Sequence, residues 1–421
     1  MPKRHNLRHA RVRRRLAVRS GAHWLGLAGA GLLLAGGSAN ANPLGGQVTA
    51  GSATIGNSSP AQLDIQQSTD RAVIDWQSFN IAVGERTQFH QPAASSWTLN
   101  RVNSPNPSTI AGYLGANGSL VLVNPSGVVF SKGSQVNVNS LIATPSGISN
   151  ANFMAGKMRF DQPGNPNARV ENAGTITVAQ KGLAALVAPS VANSGLIQAK
   201  LGKVVLAGAA TYTLDFYGDG LINFDVGPKV ATVPVGPDGK PVKSLVSNTG
   251  TIDAAGGTVI LTADAVSGIL ENVIDSPGTI SARTTTTPAG SVSFGDIKID
   301  AGEGNQARLG GTLDVSARAP GQRGGTAVVT GGSVRLTETA RVYAQGPAGG
   351  GKVRIGGGPH GTDTSVRNAQ TTVIDAGAVI DASATGNGNG GNIAVWSDGS
   401  TTFNGAIYAK GGPNGGNGGW V

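Results

Sequence analysis

Beyond residue 41 the chain has two histidines, His90 and His360, and the whole sequence has no cysteine. Acid–base or metal chemistry would therefore have to come from converging carboxylates. Polysaccharide-cleaving sites are built that way, often with Ca²⁺ and a basic group that moves the proton. The spacing offers Asp215 and Asp219 flanking a turn, and Asp296 and Asp300 on one face of a strand. Acids two or four apart on a solvated strand are ordinary, so neither pair predicts a metal site. His90, in Phe89-His90-Gln91-Pro92, and His360, in a glycine-rich loop, read as structural or solvated. Ser126-Gly127 lacks the G-x-S-x-G pattern and following helix of a nucleophile elbow. The paired glycines do not lead from a strand into a helix, so they imply no phosphate loop. No catalytic residue, metal ligand set or cofactor emerges, and a protein that is not an enzyme is expected.

The elements around these residues begin with a different signal. Residues 1–23 carry eight Lys or Arg and no acid. An apolar run from Trp24 to Leu34 follows, then the small-residue end Gly36-Gly37-Ser38-Ala39-Asn40-Ala41. This is the form of a secretory signal peptide, with cleavage expected after Ala41 at the Ala39-x-Ala41 site. Arg13-Arg14 faintly resembles a twin-arginine signal. The apolar core is too short to anchor the chain in a bilayer, and no later run approaches the length of a membrane span. Removing residues 1–41 takes away 8 of the 32 basic residues, leaving 24 against 23 acids, a net charge of +1. The basic balance of the whole chain thus gives no reason to expect nucleic acid. A cysteine-free chain also meets no disulfide in an oxidising periplasm.

From residue 42 onward the composition is rich in Gly, Val, Ala, Thr, Ser and Asn, which is strand-and-turn chemistry. Asn172-Ala-Gly-Thr-Ile176, Asn193-Ser-Gly-Leu-Ile197 and Asn248-Thr-Gly-Thr-Ile252 share N-x-G-x-I, and Ser276-Pro-Gly-Thr-Ile280 is a variant without the Asn. Each of the first three runs on to a glycine (Gly182, Gly202, Gly257) and an apolar stretch ending at Leu186, Leu206 or Leu261. Paired glycines before alternating strands recur at Gly331, Gly350 and Gly390. A strand–turn–strand unit of about 20 residues cannot bury its apolar face alone and must stack on copies of itself. A parallel β-helix does this, with inward Val, Ile and Leu and with the motif Asn at a corner, bonding local backbone. At ~20–25 residues per coil the chain would make roughly 15–19 coils, on the order of 80 Å of rod. A propeller or sandwich explains the N-x-G-x-I units less well. Residues 207–226 carry a hairpin signal around Gly218-Asp219-Gly220, and residues 227–243 hold four prolines and read as a loop.

The region 42–226 holds Trp76-Gln-Ser-Phe-Asn80-Ile, Phe89-His-Gln-Pro92, Leu99-Asn-Arg-Val102, Pro107-Ser-Thr-Ile110-Ala-Gly-Tyr-Leu114, Leu120-Val-Leu-Val-Asn124-Pro-Ser-Gly-Val-Val-Phe130 and Val136-Asn-Val-Asn-Ser-Leu-Ile-Ala143. In that order, directly after a signal peptide, these resemble the filamentous-haemagglutinin-type N-terminal domain of two-partner secretion exoproteins, also called the haemagglutination activity domain. The resemblance implies an all-β, right-handed parallel β-helix with an N-terminal cap. It also implies export through the periplasm and recognition there by an outer-membrane barrel carrying POTRA domains. The family's Asn-Pro-Asn-Gly-Ile motif corresponds to Asn124, Pro125, Ser126, Gly127 and Val128, with Ser126 and Val128 departing from it. A second family motif, Asn-Pro-Asn-Leu, is not evident; Asn106-Pro107-Ser108-Thr109 is not a convincing stand-in.

Read from the residues themselves, Asn124-Pro125-Ser126-Gly127 satisfies a type I β-turn between two strands. A purely structural turn, a transporter contact and a turn that does both are all open at this point. The expected organisation is a signal peptide (1–41), a recognition domain (42–226), a loop (227–243) and a continuing β-helix stalk (244–421), the chain being an N-terminal fragment. The function implied is a secreted or surface-exposed adhesin or related exoprotein, its receptor on a host or neighbouring cell undefined. The alternatives are a polysaccharide-active β-helix enzyme, which predicts a clustered acidic groove, and a structural matrix protein exported without a partner.

Overall fold

The computed structural model describes residues 42–215, 223–236 and 238–421. The expected signal peptide, with Ala39 and Ala41, and the turn residue Asp219 lie outside the described residues.

Most of the described chain winds through three long sheets of 12, 13 and 10 strands. Successive coils add one strand to each. Ser119–Val123, Ser140–Thr144, Leu183–Ala188, Lys203–Gly208, Thr258–Ala263 and Asp296–Asp300 follow one another in the first sheet, all parallel. Gln135–Val138, Thr175–Val178, Leu196–Gln198 and Thr251–Asp253 do so in the second. Val128–Phe130, Arg169–Asn172, Ser190–Asn193 and Val246–Asn248 do so in the third. This is the expected parallel β-helix. Its first turn is capped by antiparallel pairing: Gln47–Ala50 against Arg71–Trp76, and Ala53–Ser59 against Gln62–Gln67.

The alternation of side chains along a strand decides what fills the interior. In Asp296–Asp300, Ile297 and Ile299 point inward while Asp296, Lys298 and Asp300 face out. The N-terminal sequence blocks supply much of the core of the first coils. Trp76, Phe79, Phe89, Ile110, Leu114 and Phe130 are fully buried. The Trp76 ring stands edge-on to Phe79 at 5.5 Å, and its Nε1 donates to the buried Asn100 Oδ1 at 3.0 Å.

Early strands of the first sheet are buried on both faces. Leu120 and Leu122 face the interior, whereas Val121 and Val123 face a second, external core. Two excursions cover that outer face. One contains Ile148, the short helix Asn150–Met154 and the strand Met158–Phe160; the other contains Tyr212–Asp215 and Asn223–Val226. Their three strands form an antiparallel sheet, in which the expected hairpin lies. Phe160 stacks on Tyr212 at 4.6 Å with the rings 12° apart, and Ser146 Oγ donates to the Ala210 carbonyl at 2.7 Å. The helix begins at Ser149, whose side chain accepts from the Asn152 amide at 3.2 Å.

Two details differ from the sequence-based expectation. The second sheet has 13 strands, below the 15 to 19 coils expected, because these excursions and later loops consume chain without adding coils. The motif asparagines bond chiefly one another. Asn172 Nδ2 donates to Asn193 Oδ1, and Asn193 Nδ2 to Asn248 Oδ1, both at 2.8 Å. Asn172 also bonds backbone: its Oδ1 accepts from the Gly174 amide at 3.2 Å, and its Nδ2 donates to the Leu196 carbonyl at 3.4 Å. Stacking places identical side chains a coil apart, so the amides pair vertically. Residues 227–243 contain the isolated bridges Val230–Ala265 and Val235–Pro241, and the three long sheets continue past them.

Candidate functional site

The Asn124–Val128 segment links the first and third sheets, closing Ser119–Val123 and opening Val128–Phe130. The Gly127 amide donates to the Asn124 carbonyl at 2.8 Å, the closing bond of a β-turn. Inside it the Ser126 amide donates to Asn124 Oδ1 at 2.9 Å. Asn124 is fully buried, and its Nδ2 donates to Asn106 O at 3.1 Å and to Ser108 Oγ at 3.0 Å. Ser126 Oγ donates to the Ser104 carbonyl at 3.0 Å. Gly127 has φ +110°, and a Cβ there would lie 2.5 Å from the Arg169 carbonyl oxygen. The turn is therefore clamped to the coil below through residues 104–108 and to the coil above through Arg169. Val128 is buried in the main core. Of the five residues, Pro125 is the exposed one, and Ser126 is half-buried.

A second turn stacks on the first, and sequence reasoning missed it. The Asn165 amide donates to the Pro125 carbonyl at 2.9 Å. Asn165-Pro166-Asn167-Ala168 then repeats the same bonds: Ala168 N–H to Asn165 O at 2.8 Å and Asn167 N–H to Asn165 Oδ1 at 2.9 Å. The signal that could have found it is the repeated Asn-Pro pair, at Asn106-Pro107, Asn124-Pro125 and Asn165-Pro166. The fold gathers all three at one corner of the β-helix. Pro105, Asn106, Pro107, Pro125, Asn165, Pro166 and Asn167 are exposed there. Proline fixes φ, so this surface is ordered before anything binds it.

The residues weighed for acid–base chemistry are scattered. His90 Nε2 lies 3.0 Å from Asp64 Oδ1 on the second sheet's outer face. His360 sits at φ +52° with its ring edge-on to Trp396 and Trp420. Asp296 pairs with Lys298 at 3.3 Å and Asp300 with Arg367 at 3.5 Å. Asp215 stands at the end of Tyr212–Asp215. Among the described residues no three His, Asp or Glu side chains cluster to hold a metal ion, and no helix is long and apolar enough to cross a membrane.

The TPS secretion domain family matches residues 39–308. A heme/hemopexin-binding protein of Haemophilus influenzae (strain ATCC 51907 / DSM 11121 / KW20 / Rd) is 33% identical over 238 residues, covering 54% of this chain and 24% of that protein. Another heme/hemopexin-binding protein of Haemophilus influenzae is 40% identical over 94 residues, covering 22% of this chain and 10% of its own length. The chain thus matches a quarter or less of the length of these curated relatives. The solved HMW1 secretion domain from Haemophilus influenzae superposes with a TM-score of 0.74 at 28% identity, over 90% of this chain and 93% of that one. The same long parallel sheets and the family match lead to one conclusion: this chain belongs to the TPS secretion domain family and is a two-partner secretion exoprotein.

Proposed function

We propose that the Asn-Pro corner is the surface by which an outer-membrane transporter with periplasmic POTRA domains selects this chain for export. The observation that carries the reading is the division of labour in the turn. Asn124 spends its side-chain polar atoms on its own coil and the one below, while Pro125 and the neighbouring Asn-Pro pairs are presented outward. A rigid, exposed patch loses little conformational entropy on docking. In this reading residues 1–41 direct the chain into the periplasm and are cleaved after Ala41. The exported β-helix then works outside the cell by presenting surface, as an adhesin or related exoprotein, and performs no catalysis. The pairing of Asp296, Asp300 and Asp64 with basic partners supports that last point. The test is to co-express the chain with its transporter and compare secreted with periplasmic protein for Pro125→Ala, Asn165→Ala and Asn167→Ala. Export at wild-type levels in the combined variant would remove the corner from the recognition surface.

A further inference from the structure

A second element reaches the Asn-Pro corner from further along the chain. Residues 227–243 leave the strand Asn223–Val226 and return to the third sheet at Val246–Asn248, two coils beyond Arg169–Asn172. Within them, segments 234–236 and 238–242 pair as the two arms of a short tongue. The Gly236 amide donates to the Lys240 carbonyl at 2.7 Å, and the Val242 amide to the Pro234 carbonyl at 2.9 Å. Gly239, at φ +73°, permits the reversal. The base of the tongue is fixed. Val230 lies in the main core and exchanges backbone bonds with Asp264 and Val266, both at 2.9 Å, and Val242 packs against the same core. The tip reaches back two coil spacings, about 10 Å, from the strand that follows it. There the Val235 amide donates to Asn167 Oδ1 at 3.0 Å.

The tongue supplies what the corner lacks. Residues 104–108, 124–128 and 164–168 include no charged side chain. The tongue and its return carry Lys240 and Lys243, both exposed, and among the described residues neither makes a salt bridge. The one acid there, Asp238, accepts from the Lys240 amide at 3.1 Å. Lys229, at the base, pairs with Asp264 at 3.7 Å. Val235 is 40% exposed. Isolated exposed apolar residues are ordinary. Val235, however, is held against Asn167, next to the exposed Pro166, and the Asn165 amide joins that turn to the exposed Pro125. The result is a continuous apolar strip with cations along one side.

We propose that the tongue docks the same outer-membrane transporter, extending the corner toward an apolar patch on that partner rimmed by carboxylates. The inference rests on the corner being the recognition surface. Lys240 and Lys243 draw the partner in and set its orientation. Val235 contributes once water leaves the contact. Asn167 is a positioning residue here, since its side-chain oxygen holds the tongue against the corner.

The test is the affinity of the purified chain for its full-length transporter in detergent micelles, at about 50 mM and about 500 mM salt. Wild-type affinity should fall at the higher salt, because exposed charges are screened. Val235→Ser should weaken binding severalfold, and Lys240→Glu/Lys243→Glu about tenfold at the lower salt, with thermal unfolding unchanged. The double-glutamate variant should also lose the salt dependence. Asn167→Ala should lose affinity and salt dependence together, because the lysines are then no longer held at the contact. Wild-type affinity in Val235→Ser/Lys240→Glu/Lys243→Glu, with Pro125→Ala/Asn165→Ala weakened, overturns the tongue and leaves the corner standing. The reverse pattern overturns the corner reading and assigns docking to the tongue. Wild-type affinity in both sets overturns both.

Discussion

The side-chain amide of Asn172 donates to the side-chain oxygen of Asn193, one coil above, at 2.8 Å. Asn193 continues the chain to Asn248 at 2.8 Å, and Asn248 ends it on Ser276 Oγ at 3.4 Å. All four residues are buried. Such a ladder locks the register between coils, because a slip of one residue would strand buried amides.

Asn193→Leu should therefore destabilise this region by roughly 2–4 kcal/mol, since it leaves a donor below and an acceptor above unpaired. Urea unfolding followed by circular dichroism reads it. A loss under about 1 kcal/mol would mean that water replaces the ladder and that the register is fixed elsewhere.

The Asn124 turn separates two roles that a single substitution confuses. Asn124→Ala should cost about 1–3 kcal/mol, because the amide that ties residues 106 and 108 to the turn is lost. Gly127→Ala should cost a similar ~1–3 kcal/mol through its positive φ and the carbonyl of Arg169. Pro125→Ala should leave thermal unfolding nearly unchanged while lowering secretion. If all three lose secretion only in proportion to stability, the turn is a structural device alone.

The external core should open apart from the β-helix beneath it. Phe160→Ala removes the ring stacked on Tyr212 and should cost about 3–5 kcal/mol, the usual loss when a large buried ring is deleted. Hydrogen exchange should rise along Met158–Phe160 and Tyr212–Asp215, with Leu183–Ala188 still protected on its inner side. Uniform exchange across both would show that the two cores unfold as one.

Asp64 provides a pH handle. Burial alone would raise its carboxyl pKa, but hydrogen bonds from Ser58, His90 and Gln62 and the charge of His90 outweigh this and lower it. A carboxylate with a depressed folded pKa stabilises the fold above its unfolded value of about 3.9, and that contribution is lost as pH falls through the folded value. Asp64→Asn should flatten the fall in unfolding midpoint below about pH 4 and lower stability at neutral pH. An unchanged acid limb would show that other carboxylates dominate it.

Much of the architecture was legible because a β-helix is a local code repeated. The N-x-G-x-I units, the glycine before each apolar run and the alternation in strands such as Asp296–Asp300 each carry their own instruction. Stacking then adds only copies of the same contact. The turn at Asn124–Gly127 was legible for the same reason: Asn, Pro and Gly at fixed offsets specify it without distant partners.

What the sequence could not reveal depended on contacts between residues far apart along the chain. Leu120 and Val121 look alike in a run of apolar residues, yet one fills the interior and the other lies under an excursion that begins some twenty-five residues later. Asn165 joined Asn124 at one corner only when a coil and its excursion brought them together. Composition and spacing alone determined that this chain would coil. Which faces would be covered, and which polar groups would meet, was decided by tertiary packing, because burial and hydrogen-bond satisfaction are properties of neighbours in space and not of neighbours in sequence.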